Sequence, residues 1–119
     1  MHYHMLQMAD DAATIVGRWR QRVPPRVPKE EVQKVVEAYF PGAHTIKEKT
    51  SHWLIVQHES LRLASQHGFS AHFTGGRLSI PHTGGREVKQ VYVKMLLEAI
   101  DIKELYDRVI EESSGGRSE

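Results

Sequence analysis

The chain contains no cysteine among its 119 residues. This absence excludes disulfide frameworks, thiolate zinc sites, iron–sulfur clusters and cysteine nucleophiles. Because a chain without disulfides fits a reducing compartment, we expect a cytoplasmic protein. The sequence also lacks an apolar run approaching the roughly 18 residues of a membrane span. Its first residues lack the basic and apolar regions of a signal peptide, so we expect no membrane partner.

The sequence has little excess of either charge. Lys and Arg number 16 against 15 Asp and Glu, which gives a formal net charge of +1. A strong overall attraction to nucleic acid is therefore excluded, and a basic site must arise from local clustering. The densest basic segment contains Arg18, Arg20, Arg22 and Arg26 without an intervening acid. The 8 histidines are the one compositional feature that points toward chemistry, because imidazole titrates near neutral pH.

The length is that of one ordinary domain, and the composition divides the chain into three parts. Residues 1–27 form an N-terminal extension with a predicted helix over 10–22, which ends before Pro24. Residues 28–111 form the main domain. Residues 112–119 are polar and small, so a disordered tail is expected there.

In the main domain, apolar spacing predicts helices over 28–40 and 88–100, with Pro28 as the first helical residue, and another helix from Asp101. The pattern predicts strands between these helices over 43–49, 52–58, 69–73 and 77–81, and leaves 61–65 as strand or loop. Strands in a block bounded by helices indicate an α+β fold, with an antiparallel sheet of three to four strands covered by helices on one face. The helix over 88–100 is expected to bury Val91, Met95 and Leu96.

Two stretches carry a resemblance to a known family. The first contains Thr50-Ser51-His52-Trp53, and the second runs from Leu78 through Ile80-Pro81-His82-Thr83-Gly84-Gly85 into the following helix. Together they resemble the HicA (YcfA-like) family of mRNA interferase toxins. Proteins of that family carry a Gly-Ser-His motif that opens a strand, and a glycine-containing turn that leads into a final helix. The resemblance covers about residues 28–105.

The resemblance implies a fold like that of a double-stranded RNA-binding domain, preceded here by an extra helix. It also implies a metal-independent endoribonuclease that acts on mRNA and is covered by a HicB-type antitoxin. The family's catalytic histidine corresponds to His52. This sequence has Thr50 in place of the motif glycine, has extra residues over 60–76, and has no counterpart for residues 1–27.

The residues themselves are compatible with that chemistry. An imidazole at the start of a strand, such as His52, can accept a proton from a ribose 2′-hydroxyl or donate one to the leaving 5′-oxygen. The competing interpretation is a surface histidine without a function. Candidate RNA contacts are Ser51 beside it and the residues Lys47, Lys49, His82, Arg86 and Lys89, with Arg77 and Lys94 as further candidates.

The secondary structure predicted from the sequence would bring several of these candidate RNA contacts together. Lys47 and Lys49 would share one strand face, and Arg86 and Lys89 would share one face at a helix start. His82 would lie near the N-terminus of that helix, where backbone N–H groups favour an anion. The alternatives are scattered solubilising charges and a simple glycine connector. Trp53 fits the core better than a base-stacking role.

Other classes of site find no support in the sequence. No histidine pair has helical metal-ligand spacing, and His-Glu-x-x-His, phosphate-loop and serine hydrolase motifs do not occur. We therefore expect neither a metal nor a cofactor. Two rival functions remain open. One is a non-catalytic RNA-binding or protein-binding module of the same fold, and the other is an adaptor that docks through its arginine-rich extension.

Overall fold

The computed structural model describes residues 10–117, and describes side chains over 10–113. Residues 1–9 of the predicted extension and 118–119 of the predicted tail lie outside the described residues. The elements in chain order are α1 (Ala12–Gln21), β1 (Arg26–Pro28), α2 (Lys29–Tyr39), β2 (His44–Ile46), β3 (Leu54–Gln57), α3 (Glu59–Gln66), a 3₁₀ turn (Thr74–Gly76), β4 (Arg77–Ile80), β5 (Glu87–Lys89) and α4 (Gln90–Arg117).

The strands form two small antiparallel sheets. One has three strands in the order β2-β3-β4, with Leu54 opposite both Ile46 and Ile80. The other is a two-stranded ribbon of β1 and β5, in which Val27 lies opposite Val88. The expected α+β class is confirmed, but the strands divide into two sheets because β5 pairs with the segment before α2.

One hydrophobic core joins the helices to the sheets. The three-stranded sheet buries Leu54, Val56 and Leu78 on one face, and its opposite face leaves Gln57 and Arg77 exposed. The core is completed by residues on one side of each helix, including Val32, Val35 and Val36 of α2 and Val93, Leu96, Ala99 and Ile100 of α4. The alternation of β3 thus decides which sheet face remains open.

Helix α1 packs into this same core. The predicted helix over 10–22 is confirmed, with the Asp11 side chain accepting a hydrogen bond from the Thr14 N–H at 2.8 Å. Trp19 is buried in the core cluster. An ion pair of 2.9 Å joins Arg20 to Asp101 on α4. The extension therefore shares the hydrophobic core of the main domain.

The segment between β3 and β4 differs most from the sequence prediction. The expected strand over 69–73 is wrong, and 61–65, expected as strand or loop, belongs to helix α3. Phe69 is 80% exposed, whereas Phe73 is fully buried. Alternation over so few residues does not by itself specify a strand, and residues 69–73 pair with none of the strands over residues 10–117. A capping residue before 59–66 favours the helix instead.

Helix α4 is continuous where two helices were predicted. It begins at Gln90, after β5 and not at Val88, and it passes through Asp101, so that residue does not cap a new helix. The helix includes residues 112–117, for which the composition predicted disorder. Leu96 is buried as expected, but Val91 is 55% exposed and Met95 is only partly buried. The stripe of α4 that packs into the core is instead the neighbouring one, which contains Val93, Leu96 and Ile100.

The boundary between β1 and α2 also departs from expectation. Pro28 ends β1 and stands as the residue before the helix, with its φ of −58° and ψ of 137°, and not as its first helical residue. Lys29 begins α2, and its backbone N–H donates to the Arg86 carbonyl at 2.9 Å. The start of α2 is therefore fixed by the turn before β5.

Gly76 is a point where the backbone excludes any side chain. Its φ is +79°, and an added Cβ would lie 2.9 Å from the Arg62 Cβ and 3.0 Å from the His58 carbonyl. Gly75 has a φ of +72° with open space around it, and so is a matched control. We expect Gly76→Ala to lower the free energy of unfolding by roughly 2–4 kcal/mol and Gly75→Ala by about 1 kcal/mol, measured by urea denaturation. Equal losses would show that α3 moves freely away from this turn.

Candidate functional site

The first motif segment lies in the loop between β2 and β3. The predicted strand over 52–58 begins only at Leu54, so His52 sits before the strand and not at its start. The Thr50 hydroxyl donates either to the His52 carbonyl at 3.1 Å or to the Lys47 carbonyl at 3.2 Å. Ser51 and His52 are exposed, and the Ser51 Oγ lies 3.5 Å from the His52 Nδ1. The loop thus presents the His52 imidazole to solvent.

The second motif segment is a tight turn between β4 and β5. Thr83 bridges to Glu87, while Gly84 and Gly85 adopt φ values of +62° and +74°, which other residues rarely adopt. The Gly85 N–H donates to the His82 Nδ1 at 3.1 Å. Since Nδ1 is the acceptor, the neutral His82 ring carries its proton on Nε2 and can donate it to an anion.

The turn corrects two expectations about this segment. Because β5 separates the turn from α4, His82 does not lie beside a helix N-terminus, and a dipole argument for anion binding does not apply. Arg86 lies in the turn and Lys89 on β5, so the two do not share a helix face.

The fold brings the two motif segments together. The His82 N–H donates to the Ser51 carbonyl at 3.0 Å. The His82 ring lies 5.7 Å from the ring of Trp53, and the Lys29 Nζ lies 5.7 Å from the same ring. Trp53 is 1% exposed, so the core interpretation of this residue is supported and it presents no stacking face.

We call the group formed by Lys29, Ser51, His52, His82 and Arg86 the His52 surface. Lys29 was not a candidate from the sequence, because only the folded chain brings it to this group, through its backbone bond to Arg86 and the position of its Nζ near the Trp53 ring. Backbone hydrogen bonds join these segments, and their side chains include two imidazoles and two cations, the kinds of group that bind a phosphodiester and transfer its protons. Over residues 10–117 no group of three or more His, Asp or Glu side chains is placed to hold a metal ion.

The remaining predicted RNA contacts lie elsewhere. Lys47 and Lys49 do not share a strand face, since β2 ends at Ile46 and both follow in the loop. Lys47 lines a shallow groove of about 250 Å³ on the open face of the sheet together with Arg77. Lys89 lies on β5 directly opposite Arg26.

Two other histidines have structural partners away from the His52 surface. His58 is not on the strand but caps α3, where its Nδ1 accepts the Ser60 N–H at 3.0 Å. Its ring packs edge-to-face with Phe40 and Tyr106, with ring centroids 6.0 Å and 5.6 Å apart. The His72 Nδ1 lies 2.7 Å from a Glu98 carboxylate oxygen. Neither histidine is positioned by the contacts that assemble the His52 surface.

His58 makes the stability of α3 dependent on pH. Burial lowers the pKa of His58 below its ordinary value, and the nearby positive charge of Lys103 lowers it further. The folded state therefore binds this proton more weakly than the unfolded state. Neutral His58 therefore contributes its full stabilisation of the folded state above about pH 6.5, and this contribution is lost as the pH falls through the folded-state pKa. A protonated Nδ1 also cannot accept the Ser60 N–H.

The variant His58→Asn tests this prediction, because asparagine keeps a capping oxygen without a titrating group. We expect the wild type to lose more unfolding free energy than the variant between pH 7.5 and pH 5.5, in urea melts. The other histidines are common to both proteins and cancel in the comparison. Parallel pH profiles would contradict the assignment of this titration to His58.

None of the helices within residues 10–117 is both long enough and apolar enough to cross a membrane. Comparison of the chain with family models, with curated proteins and with solved structures yields no match.

Proposed function

We propose that the protein is a HicA-like endoribonuclease that cleaves single-stranded mRNA without a metal, with His52 as the acid–base residue. The observation that carries this proposal is the hydrogen bond from the His82 N–H to the Ser51 carbonyl. It places the Ser-His segment and the Pro-His-Thr-Gly-Gly-Arg segment side by side, although they are far apart in the sequence. These two segments are the ones on which the family resemblance depends.

The order of elements supports the same proposal. Helix α2, strands β2, β3 and β4, and helix α4 follow one another as in a double-stranded RNA-binding domain, the fold that the resemblance implies. In this proposal α3 and the 3₁₀ turn are an insertion between two strands, and α1 is an addition. Fold alone does not establish an activity, which depends here on the residues of the His52 surface.

The proposed reaction uses the ribose of the substrate as its nucleophile. His52 accepts the proton of the 2′-hydroxyl, and the 2′-oxygen attacks the adjacent phosphorus. The bond from phosphorus to the 5′-oxygen breaks, and that oxygen takes a proton from water. The products are a 2′,3′-cyclic phosphate and a 5′-hydroxyl. Lys29, Arg86 and the His82 Nε2–H offset the negative charge that develops on the phosphate oxygens.

The alternative is a non-catalytic module that binds RNA or protein through the same surface. One observation favours it: within the described residues, the contact to the His52 imidazole is the 3.5 Å approach of the Ser51 hydroxyl, which is too long to orient a ring firmly. A catalytic base in an RNA complex would need closer support, and the substrate itself would have to provide it.

Incubation of the purified protein with single-stranded RNA in EDTA tests the proposal. We expect cleavage that persists in the chelator and products whose 3′ ends carry a cyclic phosphate, identified by mass spectrometry. A folded protein that binds RNA and leaves it intact would support the binding module instead. By the same resemblance we propose a cytoplasmic location and a HicB-type antitoxin as partner, which would cover the His52 surface.

A further inference from the structure

A second basic surface lies at the end of the β1–β5 ribbon away from Arg86. A groove of about 420 Å³ runs between the C-terminal end of α1 and the first turns of α4, and its lining includes Arg20, Arg22, Gln90 and Lys94. The Gln90 side-chain N–H donates to the Val23 carbonyl at 2.6 Å, and its backbone N–H donates to the Pro25 carbonyl at 3.0 Å. These two bonds hold the walls of the groove together.

The groove has more cations than acids to pair them. Arg22 and Lys94 are exposed and take part in no ion pair over residues 10–113. Arg20 pairs with Asp101 at 2.9 Å. We call Arg20, Arg22, Gln90 and Lys94 the basic groove. Its two unpaired cations can take an anionic ligand without first losing a partner in the chain.

The ribbon itself continues the positive charge. Arg26 and Lys89 are direct cross-strand partners, an arrangement of like charges that destabilises a sheet unless an anion lies near it. The acid closest to Arg26 is Glu87, at 3.7 Å. Lys89 directly precedes Gln90, so Arg26 and Lys89 extend the groove onto the exposed face of the ribbon, where Glu87 lies between them and Arg86.

The ribbon connects the basic groove with the His52 surface. At one end, the Lys29 N–H bonds to the Arg86 carbonyl within the His52 surface. At the other end, the Gln90 N–H bonds to the Pro25 carbonyl beside the basic groove. A strand of three residues spans roughly 10 Å, a distance that a few nucleotides of extended single strand can cover. One flexible polyanion can therefore contact both surfaces.

We propose that a single-stranded RNA held at the His52 surface continues along the β1–β5 ribbon into the basic groove. This inference rests on the proposed function, and it makes the arginine-rich segment of the N-terminal extension part of the substrate-binding surface. Its cations contact phosphates and carry no sequence preference. The short substrate that reaches only the His52 surface would bind weakly, and a longer one would gain the contacts of the groove.

Binding measurements with the His52→Ala protein test the path without cleavage of the probe. Fluorescein-labelled oligoribonucleotides of increasing length would be titrated against this protein with and without Arg22→Gln and Lys94→Gln. We expect the double change to weaken binding of a long oligonucleotide about tenfold or more at low salt. The log–log salt slope should fall by about 1.4 for two lost single-strand contacts. Binding of a trinucleotide should not change.

The matched control removes two exposed cations elsewhere, with Lys34→Gln, which also loses a hydrogen bond to the Asp10 carbonyl, and Arg108→Gln. The control should bind long RNA as the parent does. Unchanged RNA affinity and slope in the groove variant, with circular dichroism showing a folded protein, would overturn the RNA path. Loss of binding to an acidic peptide with RNA binding intact would also overturn it and assign the groove to a protein partner.

Kinetic measurements distinguish failure of the catalytic proposal from failure of the proposed RNA path. In the protein with His52 intact, the groove variant should raise the KM for long RNA and leave kcat unchanged. A wild type that binds RNA through the groove but never cleaves it would refute the catalytic proposal and support the groove. Cleavage with the same KM in the wild type and the groove variant would refute the groove and support the catalytic proposal.

Discussion

Replacement of His52 by alanine is expected to lower the rate of RNA cleavage by about 10²–10⁴-fold, the usual contribution of a general acid–base group. The reason lies in the arrangement of the neighbours. His82 has its Nδ1 engaged by the Gly85 N–H, and His58 has its Nδ1 engaged by the Ser60 N–H at the start of α3. Neither is free to replace the His52 imidazole as the base. Initial rates on a labelled oligoribonucleotide in EDTA measure the effect.

The fold should survive this substitution, because the His52 side chain is exposed and contributes nothing to the core. His67→Ala is the control, since His67 is also exposed but lies at the end of α3. The control should cleave as the wild type does. A His52→Ala protein that cleaves at the wild-type rate would refute the assignment of this residue.

Replacement of Leu96 by alanine is expected to lower the free energy of unfolding by about 2–5 kcal/mol. Leu96 is fully buried in the core, where α4 packs against the rest of the domain, and its truncation leaves a cavity. Val91→Ala on the same helix is the control, because Val91 is 55% exposed. The control should cost less than about 0.5 kcal/mol beyond its change in helix propensity. Urea denaturation measures both.

A comparable loss in both variants would show that the buried stripe of α4 is not the one described. The sequence alone favoured Val91, Met95 and Leu96 as the core side of this helix. Because apolar residues occur on two adjacent stripes of α4, the helical period predicts the helix but does not choose between them. The choice depends on the elements that pack against α4.

The helices with clear boundaries were predictable for local reasons. Asp11 begins α1, and Pro24 follows its end, while acids at Glu30 and Glu31 suit the first turn of α2. β3 was recognisable from its apolar and β-branched residues. The segment from 59 to 73 was not, since its alternation is too short to distinguish a strand from a helix followed by a loop.

The residues of the candidate site also include some that the sequence indicated and one that it did not. The sequence indicated His52, His82 and Arg86 through short motifs, and indicated a basic segment from Arg18 to Arg26 by composition. It gave no sign that Lys29 would join the first group, because that contact is a backbone hydrogen bond between the start of α2 and a distant turn. Long-range pairing of this kind leaves no local pattern.

By itself, then, the sequence determined the excluded chemistries, the α+β class and the residues that could act as bases or phosphate contacts, because composition, periodicity and turn residues act over a few positions. Only the tertiary structure decided which helix stripe is buried, that β1 pairs with β5, and that the Ser51 carbonyl meets the His82 N–H. These features depend on the packing of the whole core and on hydrogen bonds between distant segments, which are settled when the chain folds around one hydrophobic interior.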